Sequence, residues 1–114
     1  MLLNAWGNSW ADFTADGSHA LAMQSNAKVL WSLATGAASA SQVATGIYNF
    51  VALRGTEVLA VTGSGSGLIV DVSGKLAPWS LATGAPTLVP SPDGAAIVYA
   101  TNFAPAGLYA VAVP

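Results

Sequence analysis

The chain has no cysteine and almost no charge. Its 114 residues hold three bases (Lys28, Arg54, Lys75), five acids (Asp12, Asp16, Glu57, Asp71, Asp93) and one histidine, His19. Without cysteine there is no disulfide scaffold, no thiol catalysis and no cysteine-based metal site. Charged residues make up 7% of the chain, against about a quarter of an ordinary soluble domain. Free monomers keep their surfaces wet with charge, so a chain this neutral is expected to present much of its surface to other protein. A net charge of −2 with no basic cluster argues against nucleic-acid partners, whose phosphates need Lys and Arg.

Long apolar runs are also missing. The uncharged stretch from Val29 to Leu53 is full of Ser, Thr, Gly, Gln and Asn, whereas a spanning helix needs about 20 mostly apolar residues. No membrane partner is expected from this stretch. Met1-Leu2-Leu3-Asn4 has neither a basic n-region nor a long apolar core and is not expected to be a signal peptide. The compartment is left open.

What the chain does have is a period. The glycines Gly17, Gly55 and Gly94 lie 38 and 39 apart, and Gly7, Gly46 and Gly84 lie 39 and 38 apart. Three periods fill the single domain 1–114, with repeats over about 1–40, 41–78 and 79–114. A fixed period of this size signals a repeat architecture. Frequent Gly and Pro and short β-branched and aromatic runs predict four strands per repeat. The first of each repeat is Leu2–Trp6, Ser41–Thr45 and Trp79–Thr83. The second is Trp10–Thr14, Tyr48–Leu53 and Thr87–Pro90. The third is His19–Gln24, Glu57–Thr62 and Ala96–Thr101. The fourth is Lys28–Leu33, Leu68–Val72 and Gly107–Val113. Asp16-Gly17 and Asp93-Gly94 are hairpin signals, since Gly accepts positive φ and Asp tolerates it. Arg54-Gly55 holds that place in the middle repeat.

Four-stranded repeats of about 40 residues are the mark of β-propeller blades. The wording agrees. Val89-Pro90-Ser91-Pro92-Asp93-Gly94 followed by Ile97-Val98-Tyr99-Ala100-Thr101-Asn102-Phe103 resembles the YVTN-type propeller repeat. Phe13-Thr14-Ala15-Asp16-Gly17 with the later Trp31-Ser32-Leu33-Ala34-Thr35-Gly36 resembles the WD-repeat pattern, although no WD dipeptide is present. The resemblance implies an all-β fold of three four-stranded propeller-like blades. A rival register rests on Trp31-Ser32-Leu33-Ala34-Thr35-Gly36 recurring as Trp79-Ser80-Leu81-Ala82-Thr83-Gly84, 48 residues on. That spacing is similar to a bulb-type mannose-binding lectin, which would imply a threefold β-prism. The lectin's sugar motif QxDxNxVxY would then fall on Ser91, Asp93, Ala95, Ile97 and Tyr99, and three of those five positions depart from it.

Propellers close with 4–8 blades as a rule, so three blades are expected to be completed into a ring by oligomerisation, with two or three chains per ring. Equivalence between repeats makes Leu2–Trp6 the strand that completes a preceding blade. It is expected to pair on the last strand, Leu108–Val113, of another copy. The candidate assembly residues are therefore Leu2, Leu3, Ala5 and Trp6 on one side and Leu108, Tyr109, Val111 and Val113 on the other. Such strand addition gives main-chain hydrogen bonds and covers an edge that would otherwise aggregate.

Chemistry-bearing residues are sparse. Asp12, Asp16 and His19 sit across a hairpin turn with no fourth partner, so no metal, cofactor or catalytic group is expected. Gly63-Ser64-Gly65-Ser66-Gly67 lacks the Lys-Ser/Thr ending of a phosphate loop. Trp31 and Trp79 are either inter-blade core or platforms on which a glycan could stack. The expected role is that of a non-enzymatic, self-assembling structural or interaction subunit. Its composition suits part of a larger particle, such as a phage or virus capsid, decoration or tail assembly. A carbohydrate-binding lectin is the second expectation, and a designed or excised propeller fragment the third.

Overall fold

The computed structural model describes residues 10–63, 66–81, 88–101 and 107–114. These form β1 (Trp10–Phe13), β2 (His19–Gln24), β3 (Val29–Ala34), β4 (Ser41–Thr45), β5 (Ile47–Arg54), β6 (Glu57–Thr62), β7 (Gly67–Asp71), β8 (Trp79–Leu81), β9 (Leu88–Pro90), β10 (Ala96–Thr101) and β11 (Gly107–Ala112). They pair antiparallel in three open sheets, β1-β2-β3-β4, β5-β6-β7-β8 and β9-β10-β11, with no helix among the described residues. The fold is all-β, as expected. Strands β2, β4, β6 and β10 have the predicted ends, and most others shift by one residue. β3 starts at Val29 because Lys28 is in the left-handed region (φ 57). There its ammonium sits 4.8 Å from the Tyr48 ring centroid. The predicted strand Leu2–Trp6, the ends of Trp79–Thr83 and Thr87–Pro90, Ser64 and Gly65 of the Gly63–Gly67 turn, and the whole Asn102–Ala106 turn lie outside the described residues.

Sheets and repeats are out of phase by one strand. β4 opens the second repeat yet pairs with β3 of the first sheet, Trp31 opposite Gln42 and Ser32 opposite Ser41. β8 opens the third repeat yet pairs with β7 of the second sheet, Leu68 opposite Ser80 and Ile69 opposite Trp79. One residue, Gly46 (φ 70), carries the chain from β4 to β5. A side chain would resist that backbone; glycine does not. The two copies of the verbatim hexapeptide fall on different strand positions. Trp31 lies on the third strand of its sheet, and Trp79 on the fourth strand of the next.

The hairpin turns explain why the middle repeat departs from Asp-Gly. In the first and third sheets the turn closes with Gly17 N donating to Thr14 O and Gly94 N to Ser91 O, both 2.9 Å. The aspartate side chain ties the same loop. Asp16 Oδ1 accepts from Thr14 Oγ1 at 2.8 Å and Ser18 N at 3.0 Å. Asp93 Oδ1 accepts from Ser91 Oγ at 2.7 Å and Ala95 N at 3.0 Å. The middle hairpin is shorter, with Arg54 paired to Glu57 across Gly55-Thr56. Glycine at the first place of a two-residue loop suits it, and the flanking pair closes it with Arg54 Nε donating to Glu57 Oε1 at 2.8 Å.

Strand alternation sets how the sheets stack. Counted from the turn glycine, Leu21, Leu59 and Val98 are equivalent, as are Ala22, Ala60 and Tyr99. Each sheet therefore has a leading face, carrying the first set, and a trailing face, carrying the second. Leu21, Met23 and Leu30 on the leading face of the first sheet share a core with Phe50, Val58 and Ala60 on the trailing face of the second. Leu59, Val61 and Ile69 on the leading face of the second share a core with Leu88, Ile97 and Val113 of the third. The second sheet is thus buried on both faces, which is why Val58, Leu59 and Ala60 in succession are fully buried. Each such Leu, Ile or Val contributes about 1.5–3 kcal/mol. The result is a stack with extents of 47 × 27 × 21 Å.

Candidate functional site

β11 is an alternating strand with two different faces. Leu108, Ala110 and Ala112 are exposed on the leading face, Leu108 to 76%. Tyr109, Val111 and Val113 turn the other way, onto the second sheet. Tyr109 stacks on Tyr99 at 5.5 Å between ring centroids. Val111 packs against the second core, and Val113 lies within it. Val113 also donates its N–H to Ala95 O at 2.8 Å, just past the strand end. Of the predicted assembly residues, Leu108 offers a side chain to solvent, while Tyr109, Val111 and Val113 anchor β11 so that its backbone edge is held in place. No described strand follows β11 in its sheet. Leu2, Leu3, Ala5 and Trp6 lie outside the described residues.

Trp31 and Trp79 occupy different environments. Trp31, half-buried, is on the trailing face of the first sheet opposite Ala22, and its Nε1–H donates to Gln24 Oε1 at 3.0 Å. Trp79 packs against the second core. It also walls a cleft of about 220 Å³ with Glu57, Ile69, Leu76, Ala77 and Pro114.

Most of the charge gathers at one end of the stack, where the hairpin turns lie. Asp16, Arg54, Glu57, Asp71 and Lys75 line a single open cleft of about 610 Å³, which is five of the eight charged residues in the chain. Inter-sheet hydrogen bonds cross this end. Asp16 N donates to Gly55 O at 3.2 Å, and the Arg54 guanidinium donates to Pro114 O. Asp71 is the best-tied group. Its Oδ1 accepts from Thr56 Oγ1 (2.6 Å), Ser73 N (2.9 Å) and Ser73 Oγ (2.6 Å), and its Oδ2 from Leu76 N (3.1 Å). Burial pushes the Asp71 carboxyl up, but these hydrogen bonds together outweigh it and hold the pKa at about 2. Asp16 is lowered by the Ser18 backbone and hydroxyl, and Asp93 by the Ser91 hydroxyl and the Ala95 backbone. All three are therefore ionised acceptors at neutral pH, with no proton to give as a general acid.

Asp12, Asp16 and His19 do not converge. Asp16 is spent on its own turn, and His19 Nδ1 lies 2.8 Å from Ser18 Oγ. Among the described residues no three His, Asp or Glu side chains are placed to hold a metal ion. The charged end does not stand out in the sequence. Its signal there is faint, since Asp71-Val72-Ser73 matches the Asp-x-Ser spacing of Asp16-Gly17-Ser18 from a different strand end. Comparison with protein-family models, curated proteins and solved structures finds no match.

Proposed function

We propose that the chain is a non-enzymatic assembly module of propeller-type blades. It completes its third sheet with the Leu2–Trp6 strand of another copy, and two or three chains form a ring. One observation carries this reading: both four-stranded sheets take their last strand from the start of the following repeat, as β4 on β3 and β8 on β7. Leu2–Trp6 is the segment of that repeat position still to be placed. Three residues, Gly7 to Ser9, separate it from β1. Extended, they reach roughly 10 Å. The third sheet lies two sheet spacings from the first, roughly 20 Å, so a strand tethered to β1 falls short of its own β11. Two chains would make six blades, within the usual range of about 4–8, and that number is favoured over three chains and nine blades. The scarcity of charge outside the turn end suits a subunit whose sides are covered by protein, as in a capsid, decoration or tail assembly of a phage or virus.

Repeat equivalence sets the register. Ser41 and Trp79 oppose Ser32 and Ile69, and the position matching these on β11 is Ala110, opposite Leu2. The absence of cysteine makes the test clean. Leu2→Cys and Ala110→Cys chains, mixed and oxidised, are expected to form an intermolecular disulfide, while either alone is not. Deleting residues 1–7 is expected to reduce the native mass to one chain. A truncated chain with the wild-type sedimentation mass overturns the reading, as does a disulfide formed within one chain of the L2C/A110C double variant.

The cleft beside Trp79 favours a second reading, as a glycan-binding module. An indole wall with a neighbouring carboxylate acceptor, Glu57, is what a sugar ring uses. Glycan-array binding abolished by Trp79→Ala and kept by Trp31→Ala is the expected outcome for this reading; binding indifferent to Trp79 rejects it.

A further inference from the structure

The two end faces of the stack are unlike each other, and each repeats a face that is already buried inside the molecule. The leading face of the third sheet carries Val89, Val98, Ala100, Leu108, Ala110 and Ala112; Val89 is 53% exposed and Leu108 76%. Its equivalents in the first and second sheets pack on the trailing face of the sheet that follows. The trailing face of the first sheet carries Ala11, Phe13, Ala20, Ala22, Trp31 and Leu33, with Phe13 59% exposed. Its equivalents in the second and third sheets pack on the sheet that precedes. Neither set of side chains includes an ionisable group.

We infer that these two faces dock on each other between copies, leading face of the third sheet onto trailing face of the first. This contact is a third instance of the junction made twice within the chain. The occupant is a second copy of this chain because the complement of each face is the other. The inference rests on the assembly reading above, and it adds a surface and a polarity, which strand donation alone does not fix. The contact is heterologous, and its repetition closes a ring when the rotation between copies divides a full turn.

Side-chain sizes agree with the pairing. At the junction of the second and third sheets, a side chain at Gly67 would lie 3.1 Å from Leu88 Cδ1, so these positions face each other. By register, Gly67 is equivalent to Leu108, and Leu88 to Ala11. Inside the chain a glycine meets a leucine; between chains Leu108 meets an alanine. The large and small partners have exchanged sides, and the new pair is larger by a single methyl group, close to the volume-conserving swaps that cores tolerate best.

The test is a charge exchange at that pair. Leu108 and Ala11 are both exposed in the single chain, so Leu108→Glu and Ala11→Lys are expected to fold, with wild-type circular dichroism. Alone, each places an unpaired charge in the docked face and is expected to weaken self-association at least 100-fold by analytical ultracentrifugation. The double variant L108E/A11K, or a mixture of the two single variants, is expected to recover association to within about tenfold of wild type at low salt, and to lose it as salt is raised. Wild-type association by Leu108→Glu, or no recovery in the double variant, overturns the inference. The two readings fail separately. A chain lacking residues 1–7 that assembles and is broken by Leu108→Glu keeps the face contact and removes strand donation. The opposite pair of results keeps strand donation and removes the face contact.

Discussion

Replacing Gly94 with alanine is expected to cost about 3–4 kcal/mol, well beyond the same change at Gly17 or Gly55. All three are turn glycines at positive φ, at 71, 75 and 52 respectively. The left-handed conformation costs an alanine about 1–2 kcal/mol, and at Gly17 and Gly55 that is the whole penalty, because a methyl group there meets nothing within 4 Å. At Gly94 the same methyl would stand 2.5 Å from Leu53 O and 2.7 Å from Arg54 Cβ. The first contact is with backbone in the neighbouring sheet, which has no rotamer by which to yield. Overpacking of this kind adds about 1–3 kcal/mol. The third sheet's turn must therefore back away from the second sheet, weakening the core that Leu53 and Ile97 share. Urea unfolding of the three variants under one set of conditions measures the difference. Equal losses at all three sites would show that the turn of the third sheet does not bear on the second.

That contrast marks where the sequence was legible and where it stopped. The period, the strands and the turn glycines are local signals, and all were readable from spacing and turn chemistry. The phase of the repeat was readable too, since β4 and β8 sit where the repeat alignment placed them, each finishing the sheet before it. Contacts across sheets were not readable. Gly17, Gly55 and Gly94 look alike in sequence, and only packing distinguishes the one pressed against Leu53. The faces of β11 were separable by alternation, but which face meets the second sheet depends on the direction of stacking. Arg54-Gly55 holds the place of Asp-Gly in the sequence, but it is a shorter turn of another kind, closed by the Arg54–Glu57 pair. Asp71 looked like a strand residue and proves to be the most hydrogen-bonded carboxylate among the described residues. Its donors come from Thr56, Ser73 and Leu76, and the Thr56 contact joins residues 15 apart.

Asp71→Ala is expected to destabilise the chain by about 2–4 kcal/mol, because it removes four part-buried hydrogen bonds to one buried carboxylate at once. The pH dependence identifies the cause. The folded carboxyl titrates at about 2, below its ordinary value of 3.8. A depressed folded pKa means that the unfolded chain binds the proton first. The contribution is therefore fully present above about pH 4 and is lost as the pH falls through 3.8 towards 2, a loss of about 1–2 kcal/mol. Asp71→Asn cannot take part in that titration, and it turns an amide N–H₂ towards one of the donors. Its deficit against wild type is expected to be largest near pH 6 and to shrink by about that amount near pH 2. Asp16 and Asp93 are depressed as well, but they are present in both chains and cancel from the difference. A deficit that stays constant from about pH 6 to about pH 2 would place the effect in packing and not in the carboxylate. The location of the damage is also specified. Asp71 ends β7 and ties down Leu76 in the connection to β8, so its loss frees the fourth strand of the middle sheet. In hydrogen exchange the Trp79–Leu81 amides should lose protection before those of β6. In the proposed assembly that strand position is held between copies, so a variant whose own fourth strand is loosened should also leave its middle sheet open to a donated strand and form disordered higher oligomers at about pH 6, where its deficit against wild type is largest.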